Sequence, residues 1–119
     1  MLNEFCIKDL INFIDQNLKR RPNGKPQPIK MPQALKSEIL SLYSKEAIWD
    51  AAEFLYLSHY IQLSAPKKNP NNYHIIGITP QGREFVSAVN EPRLWAKLQP
   101  LIKTAATATI TELIKHWFS

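Results

Sequence analysis

The chain has one cysteine, Cys6, and three glycines, Gly24, Gly77 and Gly82, among 119 residues. One thiol excludes an internal disulfide framework and a multi-cysteine zinc site. That fits a reducing compartment, and a cytoplasmic protein is expected. Three scattered glycines do not make a phosphate-cradling loop. There is no run of about 18 apolar residues, so no membrane span is expected. Met1-Leu2-Asn3-Glu4-Phe5 lacks a basic region followed by an apolar one, so no secretory signal is expected either. Acidic residues are the scarcer charge, 10 against 15 Lys and Arg, leaving a formal net charge of +5. That excess leans toward an anionic partner.

Apolar residues make up 45% and charged residues 21%. This is enough apolar surface to offset the entropy of ordering a chain of this length. Residues 1–98 are expected to form the main domain, with a basic, proline-rich linker at 22–32, and residues 99–119 a C-terminal helical extension.

The first segment reads as a helix. Cys6, Leu10, Ile14 and Leu18 recur every four residues, Asn3 suits the cap, and Lys19, Arg20 and Arg21 suit the C-terminal end before Pro22. The linker holds Pro22, Pro26, Pro28 and Pro32 with Gly24, which argues against regular structure. From Lys19 to Lys30 there are five positive charges and no negative one. They fit either a solvated loop or a phosphate-contacting arm. A short helix over Gln33–Tyr43, with Leu35, Ile39, Leu42 and Tyr43 on one face, is followed almost at once by another. This next helix is capped by Ser44 and turns Ile48, Ala51, Ala52, Phe54 and Leu55 inward. Two short helices so close together have helix-turn-helix spacing.

The period then changes from helical to alternating. Tyr60–Ser64 and Tyr73–Thr79 read as strands around a basic tip, Pro66–Asn72, which carries Lys67 and Lys68 beside Asn69, Asn71 and Asn72. Thr79 and Pro80 open another helix, with Phe85, Val86 and Val89 inward. Trp95, Leu98 and Ile102 continue an apolar face with Pro100 as a candidate kink, and Ile110, Leu113, Ile114 and Trp117 form a final stripe. The expected fold class is α+β, a winged helix-turn-helix of three helices, a two-stranded hairpin wing and C-terminal helices.

Two stretches carry a family resemblance. Ala51-Ala52-Glu53-Phe54-Leu55-Tyr56-Leu57-Ser58-His59-Tyr60-Ile61 runs into the hairpin, and Ile78-Thr79-Pro80-Gln81-Gly82-Arg83-Glu84-Phe85-Val86 leaves it, with Trp95 ten residues after Phe85. Over roughly residues 35–98 the chain resembles the YjcQ-like proteins, small winged-helix proteins of bacteria and phages. The family usually has Gly-Leu-Ile before the first wing strand, where this chain has His59-Tyr60-Ile61. The resemblance implies a winged helix and is weak on function.

Catalysis has little support, and no enzyme, metal or cofactor is expected. His59, His74 and His116 lie far apart in sequence; only His116 has a carboxylate, Glu112, at helical spacing, and two ligands are too few for a metal. Cys6 sits on an apolar face with no activating neighbour in sequence. Glu46, Asp50 and Glu53 share one helix face, as a solvated surface, a general-acid pair or a protein-binding face.

Double-stranded DNA is the default partner for the architecture. Arg20, Arg21, Lys25, Lys30, Lys67 and Lys68 are the candidate phosphate contacts, and Ser44, Lys45 and Trp49 the candidate groove contacts. The helix expected to read bases carries one Lys against three carboxylates, which disfavours it near DNA. The competing expectation is a protein-interaction module, such as a phage-type inhibitor or adaptor, using that acidic face or the aromatic tail. Ile110, Leu113, Ile114 and Trp117 are expected to form a homodimer seam, to pack on their own chain, or to meet another protein.

Overall fold

The computed structural model describes residues 2–20, 26–27, 29–30, 35, 37–64 and 74–118. It is an α+β fold. Helix α1 spans Glu4–Asn17, strands β1, β2 and β3 span Lys19–Arg20, Pro26–Gln27 and Ile29–Lys30, and a 3-10 turn spans Leu40–Leu42. Then come α2 (Lys45–Leu57), β4 (Ile61–Leu63), β5 (His74–Ile78), α3 (Pro80–Val89), α4 (Pro92–Lys103) and α5 (Thr107–Phe118).

Helix α1 lies at the centre. The Asn3 side chain caps it, accepting from the backbone N–H of Phe5 at 3.0 Å and Cys6 at 3.1 Å. Its apolar residues Cys6, Ile7, Leu10, Ile11 and Ile14 are fully buried against α2, α3, α4, β5 and the 3-10 turn. It stops at Asn17, short of the expected end before Pro22. Leu18 turns extended, the Asn17 side-chain amide donates to the Phe13 carbonyl at 2.8 Å, and Lys19 and Arg20 pair antiparallel with Gln27 and Pro26.

The proline-rich stretch also contains more regular structure than its composition implies. Beyond the β1–β2 pair, β3 adds to the hairpin, giving a three-stranded sheet in the order β3-β5-β4. Ile29 stands opposite Ile75 and is 2% exposed. Pro26 is tolerated because β2 is an edge strand, where a missing N–H breaks no central ladder. Burying one isoleucine contributes about 1.5–3 kcal/mol and helps hold the edge in place. Within the hairpin the register passes from Gln62↔Gly77 to Leu63↔Ile75, a bulge that leaves Ile76 as the extra residue.

The expected helix over Gln33–Tyr43 differs in its second half. Residues 33, 34 and 36 lie outside the described residues. Ser37 accepts from the Leu40 N–H at 3.1 Å, Ser41 donates to the Glu38 carbonyl at 2.6 Å, and Leu40–Leu42 form a single 3-10 turn. Local serine bonds compete here with the helical ladder. The turn buries Leu40, whereas Ile39 and Leu42, expected on the inner face, are exposed.

Helix α2 begins as expected, with the Ala47 N–H donating to Ser44 Oγ at 3.1 Å, and buries Ile48, Ala51, Ala52, Phe54 and Leu55. Its end is a tight corner. The Tyr60 N–H bonds to the Leu55 carbonyl at 2.9 Å and the His59 N–H to the Tyr56 carbonyl at 3.0 Å, with His59 at φ 63°. This is the Schellman cap, in which glycine is the usual residue at the left-handed position. Helix α4 ends the same way around Ala105, φ 53°, and runs unbroken through Pro100.

The Thr79-Pro80-Gln81-Gly82 run locks α3 to that corner. The Thr79 hydroxyl accepts from the Gly82 N–H at 2.9 Å and donates to the His59 carbonyl at 2.6 Å, while the Thr79 N–H donates to the Tyr60 carbonyl at 3.1 Å. A Cβ on Gly82 would lie 1.9 Å from the Tyr60 carbonyl oxygen. Tyr60, 1% exposed, stacks on Phe85 with ring centroids 4.5 Å apart, and its hydroxyl lies 3.5 Å from that of Thr111 on α5. Residue 98 falls inside α4, and Leu98, Ile102, Ile110 and Ile114 share one buried cluster with α1 and α2.

Two substitutions test this corner. Gly82→Ala is expected to destabilise by at least about 2 kcal/mol, because the new methyl meets backbone instead of a movable side chain. His59→Gly is expected to stabilise by up to about 1 kcal/mol, by removing left-handed strain. Urea unfolding of the two variants, read as a change in midpoint at constant slope, checks both signs.

Candidate functional site

The candidate phosphate contacts fall into two groups. Arg20 lies in β1 and Lys30 in β3. Arg21, Lys25, Lys67 and Lys68 lie outside the described residues. The sheet register still relates them along the chain. Lys30 stands opposite His74, the first residue after the loop that carries Lys67 and Lys68. At the other strand of the hairpin, the Ser64 N–H donates to the His74 carbonyl at 2.8 Å and Ser64 Oγ accepts from the His74 N–H at 3.0 Å. The base of the hairpin loop is therefore flanked by the end of the basic, proline-rich segment.

The groove candidates sit at the start of α2. Ser44 and Lys45 are exposed, and Ser44 spends its hydroxyl on capping. Trp49 is half-buried and packs against the core. The outward face of the helix belongs to Glu46, Asp50 and Glu53, all exposed, followed in the same stripe by Leu57 at 63% exposure. Against these three carboxylates stands Lys45 alone, so the exposed face of α2 is net negative. In a major groove it would meet the phosphates with like charge.

The C-terminal stripe divides. Ile110 and Ile114 are buried in the chain's own core, which leaves Leu113 and Trp117 half-buried and Phe118 exposed. A further aromatic patch was not visible as a unit in the sequence. Phe5 meets Trp95 edge-on at 6.2 Å, and the Lys8 ammonium lies 5.0 Å from the Trp95 ring. The i, i+3 spacing of Phe5 and Lys8 could have signalled one half of it; Trp95 arrives only through the packing of α4 on α1.

Among the described residues the histidines stand apart from one another. His59, His74 and His116 stand on the α2–β4 corner, on β5 and on α5. Cys6 is fully buried, and its thiol is pushed up to about 11 by burial and then by the nearby carboxylates of Asp9 and Asp50. This is the opposite of an activated nucleophile. Tyr43 donates to Asp9 Oδ2 at 2.6 Å, tying the 3-10 turn to α1; burial, then that bond, raises its phenol above the ordinary range. Burial also raises Tyr60, against a smaller opposing effect of Thr111. Two ion pairs brace α1, Lys103 with the buried Glu4 and Arg83 with Asp15, both at 3.5 Å. Among the described residues no helix is long and apolar enough to cross a membrane.

Comparison with protein-family models, curated proteins and solved structures finds no match.

Cys6, Tyr43 and Tyr60 all hold their protons more tightly folded than unfolded. Their contribution to stability is complete below pH 9, the ordinary thiol value, and is lost as pH rises through the raised folded values. Thermal midpoints are therefore expected to fall steadily from pH 9 to pH 11, and less steeply over the first unit in Cys6→Ala. A flat profile above pH 9 would contradict the preference of the fold for the protonated form of these groups.

Proposed function

We propose that this protein is a winged-helix DNA-associated protein, similar to the YjcQ-like group, that grips the phosphate backbone of duplex DNA with its hairpin loop and basic segment. It would serve as a small transcriptional regulator or DNA-associated accessory protein of a bacterium or mobile element. The order of elements supports the fold: a helix, a strand, a helical turn and a second helix, then a hairpin whose returning strand takes the earlier strand as its neighbour. The observation that carries the function is the register Lys30↔His74. It joins the segment holding Arg20, Arg21, Lys25 and Lys30 to the base of the loop holding Lys67 and Lys68. Positive charge on these two segments would neutralise phosphates by counterion release with little dependence on sequence. The negative outward face of α2 fits the same reading, because it argues against base readout in the major groove. Trp117 packs in part on the chain's own core, so Leu113 and the exposed Phe118 would be the tail residues offered for pairing two copies.

A second reading has its own observation. The exposed Glu46, Asp50 and Glu53 present an acidic face where a groove-reading helix would be basic, and this suits a winged-helix module that binds another protein. Charge reversal separates the two. Lys67→Glu with Lys68→Glu is expected to weaken binding of a random duplex at low salt at least about tenfold and to reduce the salt slope by about 2. Glu46→Lys with Asp50→Lys is expected to leave duplex binding intact or strengthen it. A mobility shift at 50 mM and 200 mM salt reads both. A folded wild-type protein with no shift at low salt would remove the DNA reading.

A further inference from the structure

The acidic stripe of α2 ends at a cavity of about 400 Å³ between the last turns of that helix and the turn from α4 to α5. Asp50, Glu53, Phe54, Leu57 and Ser58 line it from the α2 side, with Leu2, Ala105 and Thr107 completing the lining. The volume lies within the range of small-molecule sites. Three features of it are unexplained by folding. Asp50 and Glu53 are exposed, and neither forms an ion pair with a described residue. Leu57 is a leucine left 63% exposed beside them. Ser58, only 5% exposed, is among the lining residues, and its buried hydroxyl has no hydrogen-bond partner among the described residues. A buried hydroxyl without a partner costs free energy that a ligand donor would recover.

We propose that this cleft binds an organic cation on a short apolar stem, a primary amine or a guanidinium. Asp50 and Glu53 would take the positive group, Phe54 and Leu57 the stem, and the Ser58 hydroxyl would accept a hydrogen bond from the ligand. An anion is disfavoured by two carboxylates with no cation among the described lining residues, and a purely apolar ligand would leave Ser58 unsatisfied. The chemistry is shared by a free small amine and by a lysine or arginine side chain of a partner protein. The site uses none of the residues assigned to duplex contact, so each reading can fail without the other.

The test is a chemical-shift titration of the full chain with pentylamine, with pentanoate and with the peptide acetyl-Leu-Arg-amide. The expected result is saturable shifts at residues 50–58 and 105–107 for pentylamine, with binding at least about tenfold tighter than for pentanoate. D50N with E53Q, two exposed positions that leave the core untouched, is expected to lose about tenfold, and S58A severalfold. A tighter peptide than free amine assigns the site to a partner's side chain, and the reverse to a free small molecule; either outcome supports the cleft. Equal binding of pentanoate, shifts confined to other residues, or full binding by D50N with E53Q would overturn it.

Discussion

At the N-terminus of α3, backbone meets backbone. The Tyr60 carbonyl lies where a Cβ of residue 82 would have to be, so only glycine lets the helix start against the α2–β4 corner. Thr79 completes the contact by capping its own helix and bonding the His59 carbonyl in the same stroke. From this junction the rest follows in space. Tyr60 is turned inward to stack on Phe85 and reach toward Thr111, which brings α2, α3 and α5 together. The same corner aims β4 outward into the hairpin, with β3 as the hairpin's other neighbour through β5. The position of the hairpin loop thus depends on one close approach between two peptide groups. The chain pays for it with a histidine in the left-handed region at the preceding position.

Charge is segregated over this frame. The surplus of +5 is a bulk property, and taken alone it points to an anionic partner of any geometry. The fold divides it. In sequence, the proline-rich segment and the residues between β4 and β5 carry Lys25, Lys30, Lys67 and Lys68, and the adjoining strands β3 and β5 are paired. The outward face of α2 holds three carboxylates against one lysine. A protein that read bases with α2 would need the reverse. The proposed backbone contact and the proposed cation cleft are compatible with each other because they share no residue.

Much of the helical part was legible in the residues. Asn3, Ser44 and Thr79 cap the helices they were expected to cap, because a short polar side chain before an apolar stripe has few other local options. The inner face of α2 and the core positions Phe85 and Val89 follow from the helical period. The misread stretches share a cause. Ile29–Lys30 forms a strand only because a distant partner, β5, exists, and Lys19–Arg20 and Pro26–Gln27 pair with each other over too few residues for a local pattern to announce them. Ile39 and Leu42 looked like a buried face, but serine bonds to the backbone tightened that turn and turned Leu40 in instead. In the candidate site, the acidic stripe was visible from its spacing of four and three. The cavity beyond it was not, because part of its lining comes from Ala105, some fifty residues further along the chain.

By itself the sequence determined the starts of α1, α2 and α3, the α2 core face, the two strands of the hairpin and the acidic stripe of α2, because each of these depends on residues within one or two turns of each other. Only the tertiary structure decided that the proline-rich segment edges the sheet beside the hairpin, that Ile110 and Ile114 are spent on the chain's own core, and that Ser58 lines a cleft with Asp50 and Glu53. Each of those depends on which surfaces are brought together when α1 is enclosed, and that is set by long-range packing, where burial of apolar area outweighs local preference.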